Sequence, residues 1–196
     1  MKEKIIASIL ISFLLIAGVA IANTGAAARG PPNQGPPGDD IVEVVVAANA
    51  EGGPYEGQFD VLIAAVTATP EVAEILSGNG QHTVFGPTDA AFESLADKLG
   101  FEELEDLIAF LLDNPDYLKD VLVYHIAHGR LYAEDVLEKD QINTLRRGWD
   151  GFLMQDGGVL TDNLGREANI IVTDVEAANG IIHAIDNVVL PYLPEE

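Results

Sequence analysis

Four histidines, His82, His125, His128 and His183, are the side chains best equipped for chemistry in this chain, which has 32 acidic residues and no cysteine. Imidazole beside carboxylate can hold a metal ion or move a proton. His125 and His128 are three apart, but in an extended chain from His125 onward their side chains point to opposite faces and cannot share an ion. The plainer reading is a framework histidine, whose ring N–H satisfies a nearby carbonyl. His183, inside the apolar run Ile181–Ile185, fits that reading best, so no metal ligand is assigned. Nucleophiles are scarce: beyond residue 22 the only serines are Ser77 and Ser94, and neither sits in a G-x-S-x-G elbow. No glycine-rich phosphate cradle is present. The run from Asp174 to Gly180 fails as a calcium loop, with Ala178 at the fifth ligand position and Asn179 where glycine is required. These residues point away from catalysis, and no cofactor is expected. A cluster of another kind, Arg146, Arg147 and Trp149, reads as a surface contact patch or an exposed loop.

Charge narrows the partners. The formal net charge is −22. Such a chain does not attract nucleic acid or anionic lipid. Its self-repulsion is screened by salt, so a saline habitat is a natural reading beside that of an ordinary solvated acidic surface.

Organisation follows from composition. Lys2 and Lys4 precede the apolar stretch Ile5 to Ala22, which ends in Ala20-Ile21-Ala22, so residues 1–22 read as a signal peptide cleaved after Ala22. Uncleaved, the same segment would anchor the protein to a membrane. Residues 23–40, rich in Gly, Pro and Ala, read as a tether without a core of its own. Residues 41–196 form the globular domain.

The elements that must position these side chains can be read from periodicity. Residues 41–52 are ambiguous, because their β-branched side chains suit a strand. Phe59, Leu62, Ile63 and Val66 have helical spacing, and Pro70 opens a second helix. In Thr83 to Phe92, TVFGPTDAAF, the spacing predicts a short strand, a turn at Gly86-Pro87, and a helix capped by Thr88 or Asp89, with Phe92 facing inward. Two more amphipathic helices follow, the second opened by Pro115. Strands dominate the rest: a hairpin about Gly157-Gly158, then a pair joined through Asn179-Gly180, a dipeptide suited to positive φ. Helices first and strands later give the α+β class.

Three stretches carry a likeness. TVFGPTDAAF resembles the first signature block of fasciclin domains, with Gly86 in place of the usual alanine. Asn179 to Pro191, NGIIHAIDNVVLP, resembles the second. Between them VLVYHIAHG is similar to the Tyr-His segment of the family. The resemblance covers roughly 41–194. It implies a wedge-shaped β-sandwich with helices packed along it, and a secreted or cell-surface adhesion module in place of an enzyme. Its partners would be a cell-surface or matrix protein or a polysaccharide. The alternative is a structural envelope or biofilm protein that self-associates weakly in saline surroundings. The resemblance also places ligand contact on Tyr124 and His125. Thr88, Asp89, Phe92, Asn179, Gly180, His183 and Asp186 are expected to be framework, with His183 and Asp186 fixing the last strand through buried hydrogen bonds.

Overall fold

A computed structural model describes residues 38–194. The expected signal peptide 1–22 with its cleavage point, and residues 23–37 of the expected tether 23–40, lie outside the described residues. Among the described residues, no helix is long and apolar enough to cross a membrane.

Asp40 begins the first helix, α1 (Ile41–Asn49), by a reciprocal cap: its Oδ1 accepts from Glu43 N at 2.9 Å, and its own N–H donates to the Glu43 carboxylate at 3.0 Å. This resolves the ambiguity of the β-branched run. The cap and the burial of Ile41 outweigh its preference for a strand. Helices α2 (Asp60–Ala68) and α3 (Pro70–Ser77) follow, then strand β1 (His82–Pro87). Helices α4 (Asp89–Leu99), α5 (Leu104–Asp113) and α6 (Pro115–Tyr124) lead to β2 (Ile126–His128) and the short α7 (Ala133–Leu137). The rest is β3 (Gln141–Asn143), β4 (Phe152–Asp156), β5 (Val159–Thr161), β6 (Glu167–Ala177) and β7 (Gly180–Ile185). The class is α+β.

The seven strands lie in the order β2-β1-β7-β6-β5-β4-β3. β6 is the corner: its first residues pair with β5, and from Ile170 onward it pairs with β7 through register shifts. The two ends of the sheet meet, with Ala127 bridging Thr144 and Leu145 N donating to Ile126 O at 2.7 Å. The sheet therefore folds over a core of its own, formed by Phe85, Tyr124, Val136, Ile142, Leu153, Leu160 and Ile185. A second core fills the space between the helices and the other face of β1 and β7, through Leu62, Phe92, Leu95, Leu107, Val84 and Ile182. Alternation serves both: Val84 and Ile182 face the helices, while Phe85 and Ile185 face the folded sheet. β1 and β7 are buried throughout.

β1 and β7 run parallel, from His82 opposite Gly180 to Pro87 opposite Ile185. The two signature blocks thus lie side by side. The turn expected at Gly86-Pro87 is replaced by strand. β2 pairs only with His82 to Val84, so at Pro87 the missing N–H interrupts no ladder on that side. The hairpin at Gly157-Gly158 is as expected, with φ of 57° and 89°.

Candidate functional site

The loop between β3 and β4 presents the side chains best placed for contact. Its ends are pinned: Thr144 N and Oγ1 both donate to Gly151 O, at 2.9 and 3.1 Å. A Cβ on Gly151 would stand 2.0 Å from Arg146 O, so only glycine permits this closure. Arg146 braces the loop from within. Its guanidinium pairs with Asp150, lies 3.5 Å from Asp120 Oδ2, and sits 5.3 Å from the centroid of the Tyr192 ring. Arg146 is therefore a strut, and the expectation that it is a surface contact is corrected: its side chain is only 14% exposed. Arg147 is exposed and forms no ion pair among the described residues. Trp149, the only tryptophan of the chain, is 91% exposed.

Tyr192 connects this loop to an open groove of about 610 Å³ at the α5–α6 corner. Phe110, Tyr117, Tyr192 and Pro194 line it, with Asp113, Asn114, Pro115 and Asp116 around it. Ring centroids follow at 5.6 Å from Phe101 to Phe110, 6.1 Å to Tyr117 and 5.4 Å to Tyr192. The Tyr117 hydroxyl donates to Tyr192 O at 3.2 Å, and burial pushes its pKa up. Tyr192 Oη donates to Asp120 Oδ2 at 3.1 Å, and Asn114 Nδ2 to Phe110 O at 2.8 Å. The two tyrosine hydroxyls are thus engaged, and the carboxylates of Asp113 and Asp116 stand beside the first backbone N–H groups of α6, which has no side-chain cap.

Tyr124 and His125, the ligand contacts implied by the family likeness, are buried at 0% and 3% exposure. The Tyr124 hydroxyl donates to Phe152 O at 2.7 Å. His125 Nδ1 donates to Val121 O at 2.7 Å, and its Nε2 accepts from Val189 N at 3.3 Å. Burial pushes the His125 pKa down to about 4, so the ring is neutral. As they stand, neither side chain offers an atom to a partner.

The signature residues make their contacts within the chain, in ways that correct several expectations. Thr88 occupies the cap position of α4 but makes no side-chain cap bond. Asp89 caps a different helix: its carboxylate accepts from Asp60 N at 3.1 Å and Val61 N at 3.0 Å, where α2 has no side-chain cap of its own. Burial raises the Asp89 pKa against these two bonds. Phe92 is buried. Neither Asn179 nor Gly180 has positive φ. Glycine is needed at 180 because a Cβ would stand 2.1 Å from His82 O. Asn179 is a buried clamp: Oδ1 accepts from Ile41 N at 2.9 Å, while Nδ2 donates to Leu76 O at 2.6 Å and Gly78 O at 2.9 Å. His183 Nε2 donates to Leu131 O at 2.8 Å, and Nδ1 accepts from Asp174 N at 3.3 Å. Burial lowers its pKa. Asp186 is exposed, contrary to expectation, and holds the backbone and side chain of Asn169 at 2.7 and 2.8 Å.

Sequence reasoning missed the groove and the buried Asp162, which accepts from Arg166 Nε and Nη2, Leu190 N, Leu164 N and Arg166 N. The signal was local: Asp162 followed by Gly165 and Arg166 is turn chemistry with a countercharge four residues on. Among the described residues, no group of three or more His, Asp or Glu could hold a metal ion.

Comparison with known proteins completes the description. The Fasciclin domain family model matches residues 57–191. Protein sll1483 of Synechocystis sp. is 37% identical over 133 residues, covering 68% of this chain and 67% of that protein. Uncharacterized protein sll1735 of the same organism is 31% identical over 150 residues, covering 76% and 96%. Transforming growth factor-beta-induced protein ig-h3 of Sus scrofa is 34% identical over 139 residues, or 69% of this chain but only 18% of that protein. The fold is similar to that of a FAS1 domain pair from the insect cell adhesion molecule fasciclin I, with a TM-score of 0.57 at 17% identity, over 78% of this chain and 51% of that one.

Proposed function

This chain belongs to the fasciclin domain family, and from that membership we propose that it is a non-catalytic extracellular adhesion module. It attaches to cells, matrix or polysaccharide through the braced loop that carries Arg147 and Trp149. The exposure of Trp149 carries the reading. A tryptophan left 91% in water on a pinned loop has the composition and rigidity of a binding hot spot. One similar fold belongs to an insect cell adhesion molecule, which supports the class of activity. Two of the buried histidines support a framework role over a catalytic one: His125 and His183 have both ring nitrogens engaged by backbone groups. Residues 1–22, read as a signal peptide, would bring the domain to the cell surface or beyond.

The test is binding of purified protein to whole cells, matrix and a glycan array, with and without Ca²⁺. Saturable binding that Trp149→Ala weakens about tenfold or more, at an unchanged melting temperature, is the expected result. Saturable binding insensitive to both Trp149→Ala and Arg147→Ala would remove the loop from the reading. Absence of binding to every surface would remove adhesion.

A further inference from the structure

The Arg147–Trp149 loop and the acidic groove are opposite in character and adjoin through Tyr192, one residue serving both. The loop projects an indole and an exposed guanidinium. The groove offers aromatic rings and the exposed carboxylates of Asp113 and Asp116. What one lacks the other supplies. We propose that this strip is a self-complementary surface on which a second copy of the chain docks, Trp149 of each copy entering the groove of the other and Arg147 meeting Asp116. This rests on the loop being the contact site and names its partner.

Three observations select a second copy as the occupant. Arg146 shows the chemistry already at work within the fold: a guanidinium lies over the Tyr192 ring with Asp120 beside it. Arg147, the next residue, can repeat that arrangement in a neighbouring groove. Next, the groove is acidic, with Asp113 and Asp116 exposed on it and no lysine or arginine among its lining residues. A cation complements those carboxylates, and Arg147 supplies one, with the indole N–H as a further donor. Finally, knob and groove adjoin, so that apposing two copies about a two-fold axis engages both at once. That geometry closes at a dimer and does not propagate as a fibre.

Net charge sets the conditions. Two copies at −22 each repel one another at long range, whereas contacts between Arg147 and Asp116 are short. Rising ionic strength screens the former more than the latter, so the dimer strengthens with salt.

Sedimentation of the full-length chain over a concentration series, in about 0.1 M and about 1 M NaCl, tests the proposal. The expected result is a doubling of mass, favoured by salt, with a blue shift in the emission of the only tryptophan as it leaves water. Trp149→Ala should weaken association about tenfold or more. Arg147→Asp and Asp116→Arg should each weaken it, and the two together should recover part of the loss, since the pair is then reversed. Melting curves of each variant confirm folding. A protein that stays monomeric at high salt overturns the proposal. So does a dimer indifferent to Trp149→Ala, or one without recovery in the doubly reversed variant. Because these measurements use purified protein alone, they fail independently of adhesion. A monomer that still binds cells through Trp149 keeps the adhesion reading and assigns the strip to a different partner.

Discussion

The β1–β7 pair and the loop between β3 and β4 treat their side chains in opposite ways. Along the pair, side chains turn inward and tie the fold together: Asn179 makes three hydrogen bonds, and His183 engages both ring nitrogens. In the loop the inward work falls to Arg146, and Arg147 and Trp149 are left outside. The recognisable motifs therefore locate the fold, while the candidate contacts lie where no motif falls. A fold family says which residues hold the scaffold. It does not say what the scaffold presents.

Substitutions should separate the two regions. The largest effect is expected at Phe92, buried in the helix-facing core: Phe92→Ala should cost roughly 3–5 kcal/mol, read by chemical denaturation, while the folded fraction binds as before. Lost binding at full stability would erase the distinction. Acid comes next. The pKa of His125 is lowered from 6.5 to about 4, so folding favours the neutral ring. Its stabilisation is fully present above about pH 6.5 and is lost as pH falls towards about 4, a span worth about 3 kcal/mol. His183 and His82 are also lowered by burial and act with the same sign. Melting midpoints should fall through this window, and His125→Gln should flatten the fall.

Asp89 gives a smaller effect. Asp89→Ala removes the acceptor at the start of α2 and should cost about 0.5–2 kcal/mol. Asp89→Asn should cost less, because it keeps an acceptor and removes a charge that burial, Asp60 and Glu93 disfavour. Thermal melts of the two variants check this order. The smallest stability effect is expected at Trp149, where alanine should change folding by no more than about 0.5 kcal/mol. A large drop in melting temperature there would make the indole a piece of framework and collapse the comparison.

Much of the fold was legible because its signals are local. Gly157-Gly158 marks a hairpin, Pro70 and Pro115 open helices, and Phe92 falls on an apolar stripe. Misreadings arose where distant contacts decide. The run Ile41 to Val46 is helical because of its cap and the core beneath it. Gly86-Pro87 continues a strand because β7 lies alongside. Asp89 is a cap, as its type suggests, but its helix begins 29 residues earlier. Of the candidate patch, the sequence showed the residues but not their division of labour: nothing local distinguishes Arg146, held by Asp150 and Asp120, from Arg147. The groove was invisible, being made by residues from both 110–117 and 192–194.

The parallel pairing of β1 with β7 also has a consequence in time. Val84 and Ile182 are register partners 98 positions apart, and the middle of the sheet cannot close until both are available. A chain emerging from its N-terminus can form the pairs α2–α3, α4–α5 and α5–α6 early, since each joins sequence neighbours. It then waits for residues 180–185 before either core has its central wall. Until that moment β1 has an open side and Asn179 cannot tie Ile41 to Leu76 and Gly78. The order of synthesis thus makes the final stretch of the domain the step that commits the rest, and it keeps the chain loose for as long as that stretch is unmade.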